Sequence, residues 1–147
     1  MKERRLEILG ILCMATSFLA LISMVGYNPY EDPGISPNVK VENPMGILGV
    51  FIAYFFIKFS FGYSSFLLPV LGSVWGWWFF SKREPSILSR ISGYLLGMML
   101  LISVTLGLFE IGIYSSSGIE FNYSGLIGGN LANFLVSFFG MIGSSII

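Results

Sequence analysis

Apolar runs of near-membrane length alternate with short polar segments along the whole chain. Ile8 to Gly26 carries no charge, and with Leu6 and Glu7 at its start it is long enough to cross a bilayer as a helix. Met45 to Phe80 holds a single charge, Lys58, in 36 residues. That is too long for one upright crossing and too short for two comfortable ones. Ile91 to Phe109 and Gly125 to Ile147 are uncharged again.

Gly62 and Pro69 divide the central stretch. Gly46 to Phe61 makes about 24 Å of helix, short of the roughly 30 Å hydrocarbon core, whereas Gly62 to Phe80 makes about 28 Å. The pattern predicts an amphipathic outer segment over 46–61 followed by a crossing over 62–80. One long, tilted and kinked helix is the alternative. The full expectation is helix 1 at about 6–26, an outer loop at 27–44, the segment 46–61, and helix 2 at about 62–80. A cytoplasmic loop at 81–90, helix 3 at about 91–109, an outer loop at 110–123 and a second segment at 125–139 follow, with helix 4 starting at about 140 and running past Ile147.

The polar segments read as loops for different reasons. Tyr27 to Pro44 contains Pro29, Pro33, Pro37, Pro44 and Gly34, which argues against any regular element. Glu110 to Tyr123 contains Gly112, Gly118 and serines at 115–117. A basic start before an apolar run also fits a cleaved signal peptide, but no small-x-small site precedes the proline loop cleanly.

Composition sharpens this to an all-α integral membrane protein of about four transmembrane helices, with an amphipathic or re-entrant outer segment before helix 2 and a second expected before helix 4. Charged residues make up 11% of the chain against about 25% for a soluble domain. Net charge is zero, which gives no basic surface for nucleic acid. There is no histidine, one cysteine (Cys13) and no P-loop, so catalytic, cofactor-binding and metal residues are assigned to none. Lys58 is the only charge deep in an apolar run; its amine either snorkels to the surface or serves an ion path or partner. Trp75, Trp77 and Trp78, next to basic residues, are expected at a headgroup layer. Gly93 and Gly97, four apart, offer a small-residue face for helix packing.

Charge sets the orientation. The amino end carries Lys2, Arg4 and Arg5, and the 81–90 loop carries Lys82, Arg83 and Arg90. The 27–44 loop carries only Lys40, and the 110–123 loop has no basic residue. The positive-inside rule places the first two in the cytoplasm and the other two outside.

A repeat is visible within the apolar chain. Gly46-Ile47-Leu48-Gly49 recurs as Gly125-Leu126-Ile127-Gly128, each opening an apolar segment that closes on Phe61-Gly62 or Phe139-Gly140. Each copy follows a loop assigned to the outside, so both run in the same direction.

The ordered motifs resemble the four-helix membrane domain at the amino end of the FtsK/SpoIIIE DNA translocases. They begin with Arg4-Arg5-Leu6-Glu7-Ile8-Leu9-Gly10, and helix 1 exits as Tyr27-Asn28-Pro29-Tyr30-Glu31-Asp32-Pro33. Asn43-Pro44-Met45-Gly46-Ile47-Leu48-Gly49, Phe61-Gly62 with Leu68-Pro69, Trp75-Gly76-Trp77 and Gly125-Leu126-Ile127-Gly128 follow. The chain departs from the family pattern at Glu31, where serine is common, and at Val50 and Gly129, where alanine is usual. The resemblance implies a membrane anchor at the division septum of the bacterial inner membrane, contact with other division proteins, self-association, and an ATP- and magnesium-dependent DNA motor outside this segment. This segment would bind no nucleic acid and catalyse nothing itself. A standalone membrane scaffold subunit and a transporter fragment are the competing readings.

The orientation is open to test by thiol labelling in a Cys13-free background. Cysteines at Ser36 and Ser116 should react from outside intact cells, and one at Ser86 should not. Labelling at Ser86 alone would reverse the assignment.

Overall fold

The structure, a computed structural model, describes residues 2–31, 41–113 and 121–144. Residues 32–40 and 114–120 lie outside the described residues, and with them Pro33, Pro37 and the 115–117 serines of the two loops expected on the outside, as do 145–147. Every regular element among the described residues is helical. α1 is Lys2–Val25 and α2 is Gly46–Ala53. The chain continues as a wider π-helix over Tyr54–Phe61 and a tight 3₁₀ turn over Gly62–Phe66 into α3, Leu67–Phe80. α4 is Ser86–Ile113, and α5 is Gly125–Ser144 with a break at Gly140.

Three stretches are long and apolar enough to cross a membrane: Arg4–Val25, Gly46–Phe80 and Ser86–Ile113, with Gly125–Gly140 a shorter apolar helix. The surface they present is apolar: Ile8, Phe18, Phe51, Leu101, Phe109 and Phe138 are all exposed. The most deeply buried side chains, by contrast, include Ser23, Ser65, Ser103 and Ser124 beside Met24 and Ile57. Greasy outside and small-polar inside is the arrangement that lipid favours, because lipid supplies no hydrophobic drive between helices and small side chains let backbones approach.

α1 packs along α3, and α4 along α5. The first seam depends on missing side chains. A Cβ on Gly10 would lie 2.6 Å from the Gly76 carbonyl oxygen, and one on Gly76 would lie 2.7 Å from the Gly10 carbonyl oxygen. Higher up, Gly72 sits against Ser17, and the Cys13 thiol donates to the Gly72 carbonyl at 3.3 Å. On the second seam, a Cβ on Gly107 would lie 2.8 Å from the Ala132 Cβ and 3.0 Å from the Gly128 carbonyl oxygen. Gly93 and Gly97 play no such part within the chain: a Cβ on either would meet nothing within 4 Å. Four-residue glycine spacing alone could not separate these cases, because a chain with 18 glycines offers many such pairs.

The central stretch breaks at Gly62, and Pro69 sits in the first turn of α3, directly after the 3₁₀ turn, without interrupting the helix. α4 reaches beyond 91–109 at both ends. It starts directly after Pro85, whose carbonyl accepts from the Ser89 N–H at 2.8 Å, and it carries Arg90 and Glu110 as helical residues. A helix continues while its backbone is paired, so its limits need not coincide with those of the apolar window.

The path between α1 and α3 is indirect. Asn43 bonds to the Ser23 and Gly26 carbonyls, and Gly72 lies at Ser17. Ser17 to Ser23 is about 9 Å of helix, whereas the chain from Asn43 to Gly72 could extend about 43 Å as one helix. Gly46–Phe61 therefore leaves α1 near its Val25 end and returns.

At the other end of the bundle, Lys82 pairs with Glu7 at 2.9 Å. This ties the end of α3 to the start of α1, although an exposed pair contributes only about 0–1 kcal/mol. Trp78 Nε1 donates to the Glu84 carbonyl at 2.8 Å, and the Arg83 guanidinium lies 5.4 Å from the Trp78 ring. Trp75 differs from its neighbours: its Nε1 donates to Ser92 Oγ at 2.8 Å, linking α3 to α4 rather than facing outward.

Candidate functional site: two helix breaks docked on each other

The glycines that bound the two sequence copies share an unusual positive φ. Gly46, Gly62, Gly125 and Gly140 have φ of 62°, 68°, 68° and 70°, and they are the positive-φ glycines among the described residues. A residue with a Cβ is strained at such φ, and with ψ of −146° at Gly62 and 169° at Gly140 the backbone there lies in a region essentially reserved for glycine, at a cost on the order of 1–3 kcal/mol.

The end of the first copy meets the start of the second. A Cβ on Gly62 would fall 1.9 Å from the Tyr123 carbonyl oxygen, and one on Gly125 would fall 2.4 Å from Gly62 N and 2.6 Å from the Ser60 carbonyl oxygen. The Tyr63 N–H donates to the Tyr123 carbonyl at 3.0 Å, and the two tyrosine rings stack with centroids 5.9 Å apart. The backbones touch because neither glycine carries a side chain.

A helix break frees backbone donors and acceptors, and in an apolar bundle each one left bare is costly. Serines fill this role at the first break, where Ser60 has φ −98° and ψ −117°. Ser65 Oγ accepts from the Phe61 N–H at 3.2 Å and donates to the Phe56 carbonyl at 2.6 Å. Ser64 Oγ donates to the Phe61 carbonyl at 2.7 Å.

At the second, Glu110 does the corresponding work. It lies in the last turn of α4 and is 2% exposed. Its Oε1 accepts from the Tyr123 N–H at 2.8 Å, and its Oε2 accepts from the Ser124 N–H at 3.1 Å and from Ser124 Oγ. Ser103 Oγ donates to the Ser124 carbonyl at 2.8 Å. A carboxylate facing the amino end of α5 also meets the positive pole of that helix.

The first copy starts in a parallel way with different residues. Asn43 Oδ1 accepts from the Met45 N–H at 3.0 Å, while its Nδ2 donates to the Ser23 and Gly26 carbonyls at 2.9 and 3.0 Å. One amide thus closes the end of α1 and opens α2. Glu31, also buried, accepts from the Glu42 N–H through Oε1 at 2.6 Å, and its Oε2 has no hydrogen-bond partner among the described residues.

Sequence reasoning placed Glu31 and Glu110 among loop charges, and the structure buries both. A usable signal was present: Glu110 ends an uncharged run, and Ser124 precedes a glycine that opens the next one. Lys58, one turn before the first break, is half-buried with Nζ 6.0 Å from the Tyr54 ring. No group of three or more potential metal ligands occurs among the described residues. The arrangement holds backbones together and presents no catalytic constellation.

Residues 2–147 match the family model for the 4TM region of DNA translocase FtsK/SpoIIIE. The chain is also 26% identical over 156 residues to the DNA translocase FtsK of Shewanella oneidensis. That similarity covers 99% of this chain and 16% of the relative, so the chain spans about one sixth of that protein's length. No solved structure matches it.

The junction gives an ordered series of substitutions. Glu110→Ala leaves the buried Ser124 N–H unpaired, at about 1–3 kcal/mol, and strips the part-buried Tyr123 N–H and the Ser124 hydroxyl of their acceptor as well, whereas Ser103→Ala removes one ordinary hydrogen bond worth about 1 kcal/mol. Glu110→Gln should fall between them, because its amide nitrogen would face a donor. Thermal unfolding in lipid nanodiscs would read the order; equal stability of Glu110→Ala and Ser103→Ala would show that the carboxylate does not anchor α5.

Proposed function

The chain belongs to the FtsK/SpoIIIE family as its multi-pass inner-membrane region, and on that premise we propose that it anchors and helps assemble a DNA translocase at the division septum. The ATP-driven motor that moves DNA would then lie outside this segment. The observation that carries this reading is the match over essentially the whole chain. The hydrogen-bonded junction supports it, because it makes the bundle a stiff platform rather than a set of independent spans.

In this reading the amino terminus and the Lys82–Arg83 turn face the cytoplasm, and the segments next to Gly46 and Gly125 lie in the outer half of the membrane. The paired Glu7–Lys82 end and the detour of Gly46–Phe61 away from α1 both fit. Lys58 then reaches the outer surface by snorkelling beside Tyr54. Partners are second copies and other division-site membrane proteins, met through the exposed apolar faces and the outer loops. The segment itself makes no contact with DNA.

A replacement experiment tests this. The natural full-length protein, tagged with a fluorescent protein, is compared with a version in which residues 1–147 are exchanged for unrelated transmembrane helices. Both should reach the membrane, and only the first should concentrate at the septum. Septal concentration of both versions would remove localisation and assembly from this domain's role.

A further inference from the structure

α3 and α4 follow each other in the chain but touch only sparsely. Near the turn that joins them, Trp75 Nε1 of α3 bonds to Ser92 Oγ of α4. Beyond that bond the two helices part, and Trp75, Phe79, Glu84, Pro85, Ser86 and Ser89 line an open cleft of about 520 Å³. Small-molecule sites occupy about 300–1,000 Å³.

The α3 wall of the cleft is apolar. Trp75 and Phe79 lie one turn apart, with ring centroids 5.4 Å from each other. The indole N–H is spent on Ser92, whose hydroxyl in turn donates to the Leu88 carbonyl at 2.7 Å. This wall therefore offers ring faces to whatever enters.

The mouth is charged, and the turn holds its charges in place. Lys82 has φ 53°, the positive-φ non-glycine residue among those described, a geometry uncommon enough to need support. Its N–H donates to the Phe79 carbonyl at 3.2 Å and its amine pairs with Glu7. Next to it, the Arg83 guanidinium lies over the Trp78 ring, and the Glu84 carbonyl accepts from Trp78 Nε1. A cation and an anion thus stand side by side at the mouth, and both are exposed. On the α4 side, Ser86 opens the helix, and exposed Arg90 follows one turn later on the same side.

We propose that this cleft binds one phospholipid whose headgroup carries both a phosphate and a primary amine. Arg83 and Arg90 meet the phosphate, helped by the positive amino end of α4, and Glu84 meets the amine. Trp75 and Phe79 hold the top of an acyl chain at the headgroup level where tryptophans gather. A headgroup with negative charge alone would face the Glu84 carboxylate, and a soluble amino phosphate would leave the ring faces in water. The zwitterionic lipid is complementary to all three features at once. The site lies at the end of the bundle away from the docked glycines, and the inference holds independently of the septal role.

Photolabelling of the natural full-length protein tests it. The protein is reconstituted in phosphatidylcholine vesicles that hold a small fraction of phosphatidylethanolamine with a diazirine near the top of one acyl chain, or of the matching phosphatidylglycerol. Labelled residues are located by peptide mass spectrometry. Labelling should concentrate on Trp75, Phe79 and Pro85 and be several-fold stronger with the ethanolamine headgroup. Arg90→Ala should lower it about fivefold, the loss of one basic contact to a headgroup. Ser89→Trp, which fills the cleft, should remove it. Glu84→Gln should remove the preference for the amine and leave labelling by the glycerol probe unchanged. These three side chains are exposed, so each variant should keep the unfolding temperature of the parent. Equal labelling by the two headgroups would make the cleft indifferent to the amine. Labelling spread evenly over exposed residues such as Leu101 and Phe138 would mark ordinary boundary lipid, and an unlabelled cleft would mean that no lipid enters. Each of these outcomes overturns the proposal.

Discussion

A helix broken inside an apolar bundle has to find partners for the backbone groups it frees, and this requirement organises the molecule. The break at Ser60–Gly62 and the start of α5 at Tyr123–Gly125 solve it jointly. The Tyr63 N–H reaches the Tyr123 carbonyl, serines 64 and 65 close the first side, and Glu110 with Ser103 closes the second. Lipid cannot substitute for any of these bonds. The hairpin of α1 with α3 is thereby fixed to the hairpin of α4 with α5 through a polar contact that few other pairings of the same helices would satisfy.

This explains the composition of the interior. Serine, asparagine and glutamate occupy buried places, while phenylalanine and leucine face out. The polar groups specify which backbones meet, and the glycines let them meet closely.

Much of this was legible in the residues. The positive-φ glycines were visible as a repeated motif, because left-handed backbone strongly prefers glycine and so leaves a mark in the sequence. The break at Gly62 could be read from helix length against bilayer thickness. The place of Glu110 at the end of an uncharged run was only a partial signal, because a glutamate there looks the same whether it enters water or turns back to accept from the next helix. Gly93 and Gly97 looked like a seam and are bare within the chain, while the working contacts at Gly10, Gly76 and Gly107 depend on which helices are neighbours. Trp75 was grouped with Trp77 and Trp78 by proximity, but one helical step turns its indole toward Ser92.

The central claim is that Gly62 is glycine because two backbones touch there, beyond the demand of its φ. Gly140 supplies the control: its φ 70°, ψ 169° lies close to Gly62's φ 68°, ψ −146°, and a Cβ on it would meet nothing within 4 Å. The unfolding free energies of Gly140→Ala and Gly62→Ala in nanodiscs measure the difference directly. Both should lose roughly 1–3 kcal/mol for a backbone region essentially reserved for glycine. Gly62→Ala should lose a further 1–3 kcal/mol or so for overpacking against Tyr123 and Ser124, or fail to fold. Equal losses in the two variants would contradict a docked junction.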